Sequence, residues 1–558
     1  MKLVIVETPS QAKTLTDVLG EGWRVEPCYG LVCDLPTDQL GVDVENDFRP
    51  TFTIVPGKSN LVRRLMKAIR ESEAVYAATA PNREGEALAW HLLARSPDTK
   101  DKSIYRVLLH ALTPDAIRAA FAAPLPLDMQ CIESDMTERI VDRLVGWSVN
   151  TAARKTLGFK TALSYDGMVA LRRLVERDHE IAAFTLERRW QAAVEFQFEG
   201  VTFTAQVLNA KGAPLALKSK EQSDQLETLL KTGQFWVDKT GQALKSQPVP
   251  AALTLFTLVE TAHRELRLSP ERVLALLHTL YEAGWITFPG SKSHHSLSEA
   301  TQTFIRREFG TEYLVPDALV TAELAPADVN REPEDLPGDG VALYALIWRS
   351  FIAAHMPPAQ ERIMAARLLV GASKEKPYPL ELRATAKLLY FDGWYRVVPT
   401  TAQDEVLPFL PEGTTLQPVT ITVETVTHES PAHFTEGTLA SVLATIGMSA
   451  PSVARTVDHL QAAGYVTAEE DRLTLSESGR VMADYLAASF ADLTSSHYAA
   501  ELVADIDRIA AGEQERLEVL HRFWARFGSA LRPPPAPRTI EGRSTEHKPI
   551  VLRPAEEV

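Results

Sequence analysis

An internal echo constrains this chain more than any other feature. Leu268 to Thr287 reads LSPERVLALLHTLYEAGWIT, and Met448 to Thr467 reads MSAPSVARTVDHLQAAGYVT. At a constant offset of 180 residues Ser269, Val273, Leu280, Ala283, Gly284 and Thr287 recur as Ser449, Val453, Leu460, Ala463, Gly464 and Thr467, with Trp285 opposite Tyr465 and Ile286 opposite Val466. Each copy predicts a helix, a glycine turn and a strand, the pattern of a winged helix-turn-helix. Such a unit commonly presents a helix to DNA, and it also serves simply as a packing unit.

The two copies belong to a chain of 558 residues, too long for one core, since single domains usually stop growing at about 250 to 300 residues. Residues 190 to 208 alternate as strands, and a comparable stretch returns at about 362 to 428, with a helical block between them. Two β segments flanking one helical insert predict a single discontinuous β domain. At the N-terminus Lys2 to Thr8 is an apolar strand ending in Glu7, followed by Pro9, Ser10 and a helix carrying Lys13. Ala74 to Thr79 repeats the pattern, and Asn82-Arg83-Glu84-Gly85-Glu86 leads into the apolar helix Ala87 to Leu93. Alternation of this kind predicts a parallel α/β sheet with polar groups at the carboxyl ends of its strands.

From Asp128 to Glu187 the spacing is helical, with Arg139, Asp142 and Arg143 on one face and Arg172, Arg173 and Arg177 on another. Asp142 and Glu138 are the local partners open to Arg139 and Arg143. The run Arg63, Arg64, Lys67, Arg70 reads as a solvated helix face. After Leu531 a Pro-rich polar stretch predicts a disordered tail over 531–558. Hydrophobic residues at 45% and charged residues at 23% exclude a collagen-like or wholly disordered chain. No apolar run approaches the roughly 20 residues of a membrane span, and no secretion signal opens the chain, which predicts a cytoplasmic protein. Cys28, Cys33 and Cys131 cannot form a four-thiolate zinc site, and neither zinc nor a disulfide framework is expected. A net charge of −15 argues against a surface coated in phosphate-binding groups, although an acidic protein can hold a basic groove.

Seven segments, taken together and in order, resemble the type IA DNA topoisomerases: LVIVETPSQAKTL at 3 to 15, CDLP at 33 to 36, NREGEALAWHL at 82 to 92, RIVDRLVG at 139 to 146, LYEAGWIT at 280 to 287, LYALIWRSF at 343 to 351 and FTEGTLASVLATIG at 434 to 447. The resemblance covers roughly residues 1 to 530. It implies a multidomain α/β plus α+β toroid with an N-terminal Toprim domain, two winged-helix domains and a discontinuous β-rich arch. Toprim would occupy 1–124, one winged-helix domain 125–187 and 434–530, the arch 188–247 and 360–433, and the winged-helix domain bearing the nucleophile position 248–359. It further implies DNA, in single-stranded form, as the partner, Mg²⁺ as the cofactor and no nucleotide.

The chemistry-bearing positions depart from the family pattern. A tyrosine in an ITYxR segment attacks a DNA phosphate in the family, whereas Phe288 and Gly290 stand at the tyrosine and arginine positions here, and a phenyl ring cannot form a phosphodiester. Tyr281, two helical turns earlier, is a poor substitute, and Ser291, Ser293, His294 and His295 follow without an evident activating group. The family's DxDxE segment appears as Ala80-Pro81-Asn82-Arg83-Glu84. With Glu7 it leaves Glu7, Asn82 and Glu84 as the metal-facing set, a weak one because Mg²⁺ is won from water mainly by carboxylates and substrate phosphates. Gly167 replaces the arginine of LSAGRVQS beside a new carboxylate, Asp166. By motif position Glu7 and Lys13 fall in the catalytic segment, and Arg83, Arg139, Arg143, Arg172 and Arg173 are the DNA-binding candidates. The expected function is a DNA-binding or protein-docking scaffold that no longer cleaves DNA. The alternatives are an active enzyme with another nucleophile and a winged-helix interaction module that does not bind DNA.

Overall fold

The computed structural model describes residues 1–93, 102–159, 161–186, 188–215, 217, 219–290, 293–296, 299–315, 319–336, 338, 340–398, 404–427, 429–469 and 471–531. The predicted tail after Leu531 lies outside them. Four strands, β1 (Lys2–Val6), β2 (Trp23–Pro27), β3 (Ala74–Ala77) and β4 (Ser103–Arg106), form an all-parallel sheet in the order β2-β1-β3-β4. Leu3, Val4, Ile5 and Val6 are at most 1% exposed, as expected of a parallel strand covered on both faces. Helices α1 (Pro9–Leu19), α2 (Ser59–Glu71) and α3 (Arg83–Leu93) alternate with them. Thr8 and Gln11 close a reciprocal capping box at the start of α1, with Pro9 in its first turn. This cap fixes the chain direction immediately after Glu7.

Two long helices, α4 (Met129–Leu157) and α5 (Tyr165–Ala182), follow. Asp128 caps the first through Cys131 N–H at 3.1 Å, and Gly158 ends it at φ +75°. Next comes the first part of an antiparallel sheet, β5 (Arg188–Phe198), β6 (Val201–Asn209) and β7 (Gln234–Gln247). It is completed after the helical insert by β8 (Ala359–Ser373), β9 (Lys376–Phe391), β10 (Thr415–Leu416) and β11 (Pro418–Thr427). The order β10-β7-β8-β9-β6-β5-β11 interleaves the two halves, which is the discontinuous β arch read from the alternating stretches. Its core, centred on Val194, Phe196, Ala205, Phe235, Leu368 and Leu382, is separate from the core shared by the rest of the molecule.

The echo is a structural repeat. Helices α6 (Leu255–Leu266) and α7 (Pro270–Glu282) in the first copy correspond to α8 (Glu436–Thr445) and α9 (Ala450–Ala462) in the second. Ser269 and Ser449 cap α7 and α9. Gly284 and Gly464 turn the chain at φ +72° and +73°, and Trp285 N–H and Tyr465 N–H close the turns on the Leu280 and Leu460 carbonyls at 2.9 and 3.0 Å. One helix earlier, Thr254 with Thr257 and Thr435 with Thr438 form matching capping boxes. α6 packs on α8 and α7 on α9. Ser441 Oγ donates to Glu260 Oε2 across this seam, between positions that match in the register of the two capping boxes, which are offset by 181 residues. Beside them Asp471 accepts from Arg267 Nη1 at 2.7 Å, and His263 Nε2 lies 2.7 Å from its other carboxylate oxygen.

The copies diverge after the glycine. In the second, Val466–Glu469 pairs with Arg472–Leu475 as a two-stranded hairpin. The strand expected in the first copy is instead a single bridge from Ile286 to Pro326, because Phe288 N–H turns away to the His110 carbonyl of the N-terminal unit at 2.7 Å. Among the described residues no helix is long and apolar enough to cross a membrane.

The repeat turn depends on a backbone that L side chains rarely adopt. Gly464→Ala should lower stability by about 1–2 kcal/mol, the cost of a left-handed residue, and Gly464→Asn should cost less. Urea denaturation of the three proteins in parallel checks this order.

Candidate functional site

The carboxyl ends of β1 and β3 bring together the segments around Glu7 and Ala80. Glu7 Oε1 accepts the Ala80 N–H at 2.7 Å. Ala80 begins a tight turn in which its carbonyl takes the Asn82 N–H at 2.8 Å, Asn82 Oδ1 takes the Gly85 N–H at 2.9 Å, and Thr79 Oγ1 donates to the Gly85 carbonyl at 2.7 Å. A β-carbon on Gly85 would lie 1.9 Å from the Ala80 carbonyl oxygen, so only glycine fits there.

Beneath this turn lies Arg106, 1% exposed. Its guanidinium donates to the carbonyls of Ala77, Thr79 and Val107 at 3.1, 2.9 and 3.0 Å, to that of Ala80, and to Glu86 Oε1 at 2.6 Å. Sequence reasoning passed over Arg106. The available signal was a lone arginine in the otherwise apolar run Ile104 to Leu109.

The metal-facing set is not gathered for a cation. Glu7 is turned to the Ala80 amide, the Asn82 amide oxygen caps α3, and Glu84 Oε1 lies 3.4 Å from Arg455 Nη2. Ala80 brings no ligand. Among the described residues no group of three or more His, Cys, Asp or Glu side chains is placed to hold a metal ion. The donors present therefore do not fit the oxygen-rich shell that Mg²⁺ demands. Lys13 stands exposed on α1.

Facing the N-terminal unit is the start of the insert. Phe288 is 7% exposed, and its ring meets Tyr281 edge-on with centroids 5.3 Å apart. Two turns of helix suggested a wide separation from Tyr281, but the reversal at Gly284 folds the two rings together. The Tyr281 hydroxyl donates to the Leu109 carbonyl at 2.6 Å. Burial, with the nearby charges of Glu7 and Glu282, pushes its pKa well above the ordinary phenol value. Thr8 Oγ1 donates to Glu282 Oε1 at 2.5 Å across the same contact. Gly290 sits at φ +86° with its N–H on the Glu323 carbonyl at 3.2 Å, a backbone in which an arginine would be strained. Ser291 lies outside the described residues, and Ser293, His294 and His295 are described only as backbone of a short strand.

Each predicted DNA-binding arginine has a protein partner. Arg83 meets Glu138 at 3.3 Å and Asp507 at 3.7 Å. Arg139 Nε donates to Asp34 Oδ1 at 3.0 Å, and Arg143 donates to the carbonyls of Pro36, Leu35 and Gln39 at 2.6, 3.3 and 3.4 Å. These partners replace the local Asp142 and Glu138 suggested by sequence spacing: Asp142 instead accepts the Tyr165 N–H at 2.9 Å. Arg172 pairs with Glu176 at 3.8 Å, and Arg173 with Glu176 and Glu180 at 3.3 and 3.0 Å. Arg177 lies 4.3 Å over the Phe434 ring.

Arg83, Glu138, Asp142 and Asp166 line one cleft between α4, α5 and the turn before α9. Asp166 is held by Ser452 of α9. Desolvation first, and the charge of Glu84 second, pushes Asp135 up to about 6 against the pull of Arg139 and Arg83. Glu138 rises to about 7 from desolvation and from Asp166, Asp135 and Glu84, against the opposing pull of Arg83.

The turn that carries Ala80 and Asn82 hangs on one buried ion pair. Arg106→Met should cost about 3–5 kcal/mol, because Glu86 is left as an unpaired buried charge. Glu86→Gln should cost less, since a neutral amide still accepts from the guanidinium. Thermal and urea unfolding of the two variants measures the difference.

Comparison with known proteins agrees with this architecture. The DNA topoisomerase family matches residues 126–521, and the Toprim domain family matches residues 2–112. The chain is 29% identical over 585 residues to DNA topoisomerase 1 of Pseudomonas aeruginosa and 30% identical over 586 residues to DNA topoisomerase 1 of Haemophilus influenzae. Each match covers 95% of this chain and 66% of the relative, so the chain spans just under two thirds of their length. The structure of full-length topoisomerase I from Thermotoga maritima superposes with a TM-score of 0.83 at 26% identity, covering 95% of this chain and 90% of that one. With the parallel sheet inside the Toprim match, and the repeated helical units and the interleaved arch inside the other, the chain belongs to the type IA DNA topoisomerase family.

Proposed function

We propose that this chain is a member of the family that holds DNA, preferentially single-stranded, without cutting it, and acts as a DNA-binding or protein-docking scaffold. The observation that carries this reading is Phe288, which stands at the family's tyrosine position, 7% exposed and packed on Tyr281. A hydrocarbon ring has no atom to attack phosphorus. Tyr281 is the nearest phenol, but its hydroxyl is committed to the Leu109 carbonyl and its raised pKa disfavours the phenolate. Ala80, Asn82 and Gly290 support the same reading, since charge stabilisation is usually the largest catalytic contribution and its groups are missing here. In this reading the two repeated units are winged-helix domains, Mg²⁺ binding is weak, and protein partners take up surfaces that strand passage no longer needs.

Purified protein should neither relax negatively supercoiled DNA nor remain covalently attached to radiolabelled single-stranded DNA. Phe288→Tyr alone should stay inactive, because it restores the attacking atom without the metal site at Ala80 and Asn82. Adding Gly290→Arg should lower stability, given the φ of +86° at that position. Covalent adduct in the wild type would overturn the non-cleaving reading.

Binding to single-stranded DNA should be weak and only shallowly salt-dependent, with a slope of log affinity against log salt of about −1.4 to −2.1, the release expected for two or three phosphates. The paired arginines cause this, since a phosphate must displace a carboxylate, or at Arg143 a set of main-chain carbonyls, to reach them. Affinity should rise as pH falls from 8 to 6. Asp135, pushed up to about 6, takes up protons toward the lower end of that window, and Glu138, half-exposed beside Arg83 but pushed in the same direction, follows it, so the repulsion they exert on phosphate fades. Fluorescence anisotropy with a labelled oligonucleotide across salt and pH measures both dependences.

A further inference from the structure

The loop after β2 holds a strained aromatic residue that none of the chemistry above uses. Tyr29 adopts φ +56°, an outlier for a bulky side chain, and is followed by Gly30 at φ +74°. Strain of this kind persists only where the surroundings over-determine it, and it concentrates at functional sites. Here they do. Tyr29 N–H donates to the Glu7 carbonyl at 2.8 Å, Cys28 N–H to the Val6 carbonyl at 2.8 Å, and Lys58 Nζ to the carbonyls of Tyr29 and Leu31 at 2.7 and 2.8 Å.

All this fixes the backbone, yet the ring is left in solvent. Tyr29 is 51% exposed and Leu31 beside it 38%. Packing therefore does not explain why a tyrosine occupies a position that glycine would fill without strain. The loop is also seated on the start of α2, where Lys58 and Arg64 hold it, Arg64 Nη2 reaching the Pro27 carbonyl at 3.4 Å. α2 buries Val62, Leu65, Ala68 and Ile69 and turns Arg63, Arg64 and Lys67 outward. Arg63 meets only the neutral amide of Asn60 among the contacts described, so part of this cationic face is free for an anion. Arg64 is paired with Glu26 at 3.5 Å and Lys67 with Glu71 at 3.7 Å, which leaves Arg63 as the cation of these three with no carboxylate among the contacts described. An exposed aromatic whose backbone is bonded to Glu7 and held by the start of α2, the helix that carries Arg63, is an arrangement that can receive an unstacked nucleobase with its phosphate on the cation.

We propose that Tyr29 is a stacking platform for one base of single-stranded DNA, with α2 supplying the neighbouring phosphate contact. This rests on the DNA-holding reading above. The full chain is titrated with labelled oligothymidylate and with the same oligonucleotide carrying abasic sites, for wild type, Tyr29→Ala, Tyr29→Phe, Tyr29→Gly and Arg63→Ala. Tyr29→Ala should weaken binding to oligothymidylate about five- to a hundred-fold, the range reported for loss of one stacked base, and Tyr29→Phe should not. The salt slope should stay unchanged in Tyr29→Ala, because no phosphate contact is lost, and should become shallower in Arg63→Ala. On the abasic oligonucleotide the effect of Tyr29→Ala should disappear. Tyr29→Gly should weaken binding as Tyr29→Ala does while raising the melting temperature, the signature of strain kept for binding. Unchanged affinity in Tyr29→Ala, or an equal loss on abasic DNA, would overturn the platform and leave the DNA reading standing. Absence of binding by the wild type would overturn both.

Discussion

A single buried guanidinium sets the geometry on which the N-terminal unit depends. Arg106 carries its charge into the base of the parallel sheet and spends its donors on four main-chain carbonyls and Glu86. Those carbonyls include the last of β3, Ala77, and those of Thr79 and Ala80 where the turn begins. The turn then presents the Ala80 amide to Glu7, caps α3 with Asn82 and leaves room for Gly85 alone. The turn is thus fixed by main-chain hydrogen bonds and one buried ion pair, while the side chains it carries, Asn82 and Glu84, are engaged with the Gly85 amide and with Arg455.

The contact between the N-terminal unit and the insert also draws on main-chain groups. Two of its hydrogen bonds end on main-chain carbonyls, Phe288 N–H on His110 and Tyr281 Oη on Leu109, a third joins Thr8 Oγ1 to Glu282 Oε1, and its interior is two aromatic rings set edge to face. Edge-to-face rings are worth about 0.5–1.5 kcal/mol beyond the area they bury. Phenylalanine at 288 brings no polar group that would need hydration inside this contact, so the interface is drier than a hydroxyl-bearing ring would make it.

Much of this was legible in the sequence for definite reasons. Lys2 to Val6 reads as a buried parallel strand because both faces demand apolar residues, and the arch strands read as such because alternation survives on a sheet with one covered face. The repeat was legible down to the glycine at which each helix reverses. What followed the first glycine was not, because the deciding bond, from Phe288 to His110, joins residues far apart in sequence. The partners of the arginines divide in the same way. Glu176 lies four residues after Arg172 and could be anticipated from helical spacing, whereas Asp34 lies on a different element from Arg139. The Arg106 network left little trace because its partners are mostly carbonyls, which every residue possesses.

The interleaving of the arch has a consequence for how the chain is made. On a ribosome, β5 and β6 can form their hairpin as soon as they emerge, but β7 has no neighbour among them: β8 and β9 stand between it and β6 in the finished sheet. At typical elongation rates the helical insert keeps those strands waiting for roughly ten seconds. During that interval β6 and β7 present open edges, with Phe235, Trp236 and Val237 uncovered, and such edges pair readily with other chains. The N-terminal sheet suffers no such delay, since all its strands lie within the first 106 residues. Biogenesis of this protein is therefore most vulnerable to aggregation after the N-terminal unit has folded and before β9, which ends at Phe391, has been synthesised, the period in which a nascent-chain chaperone has most to protect.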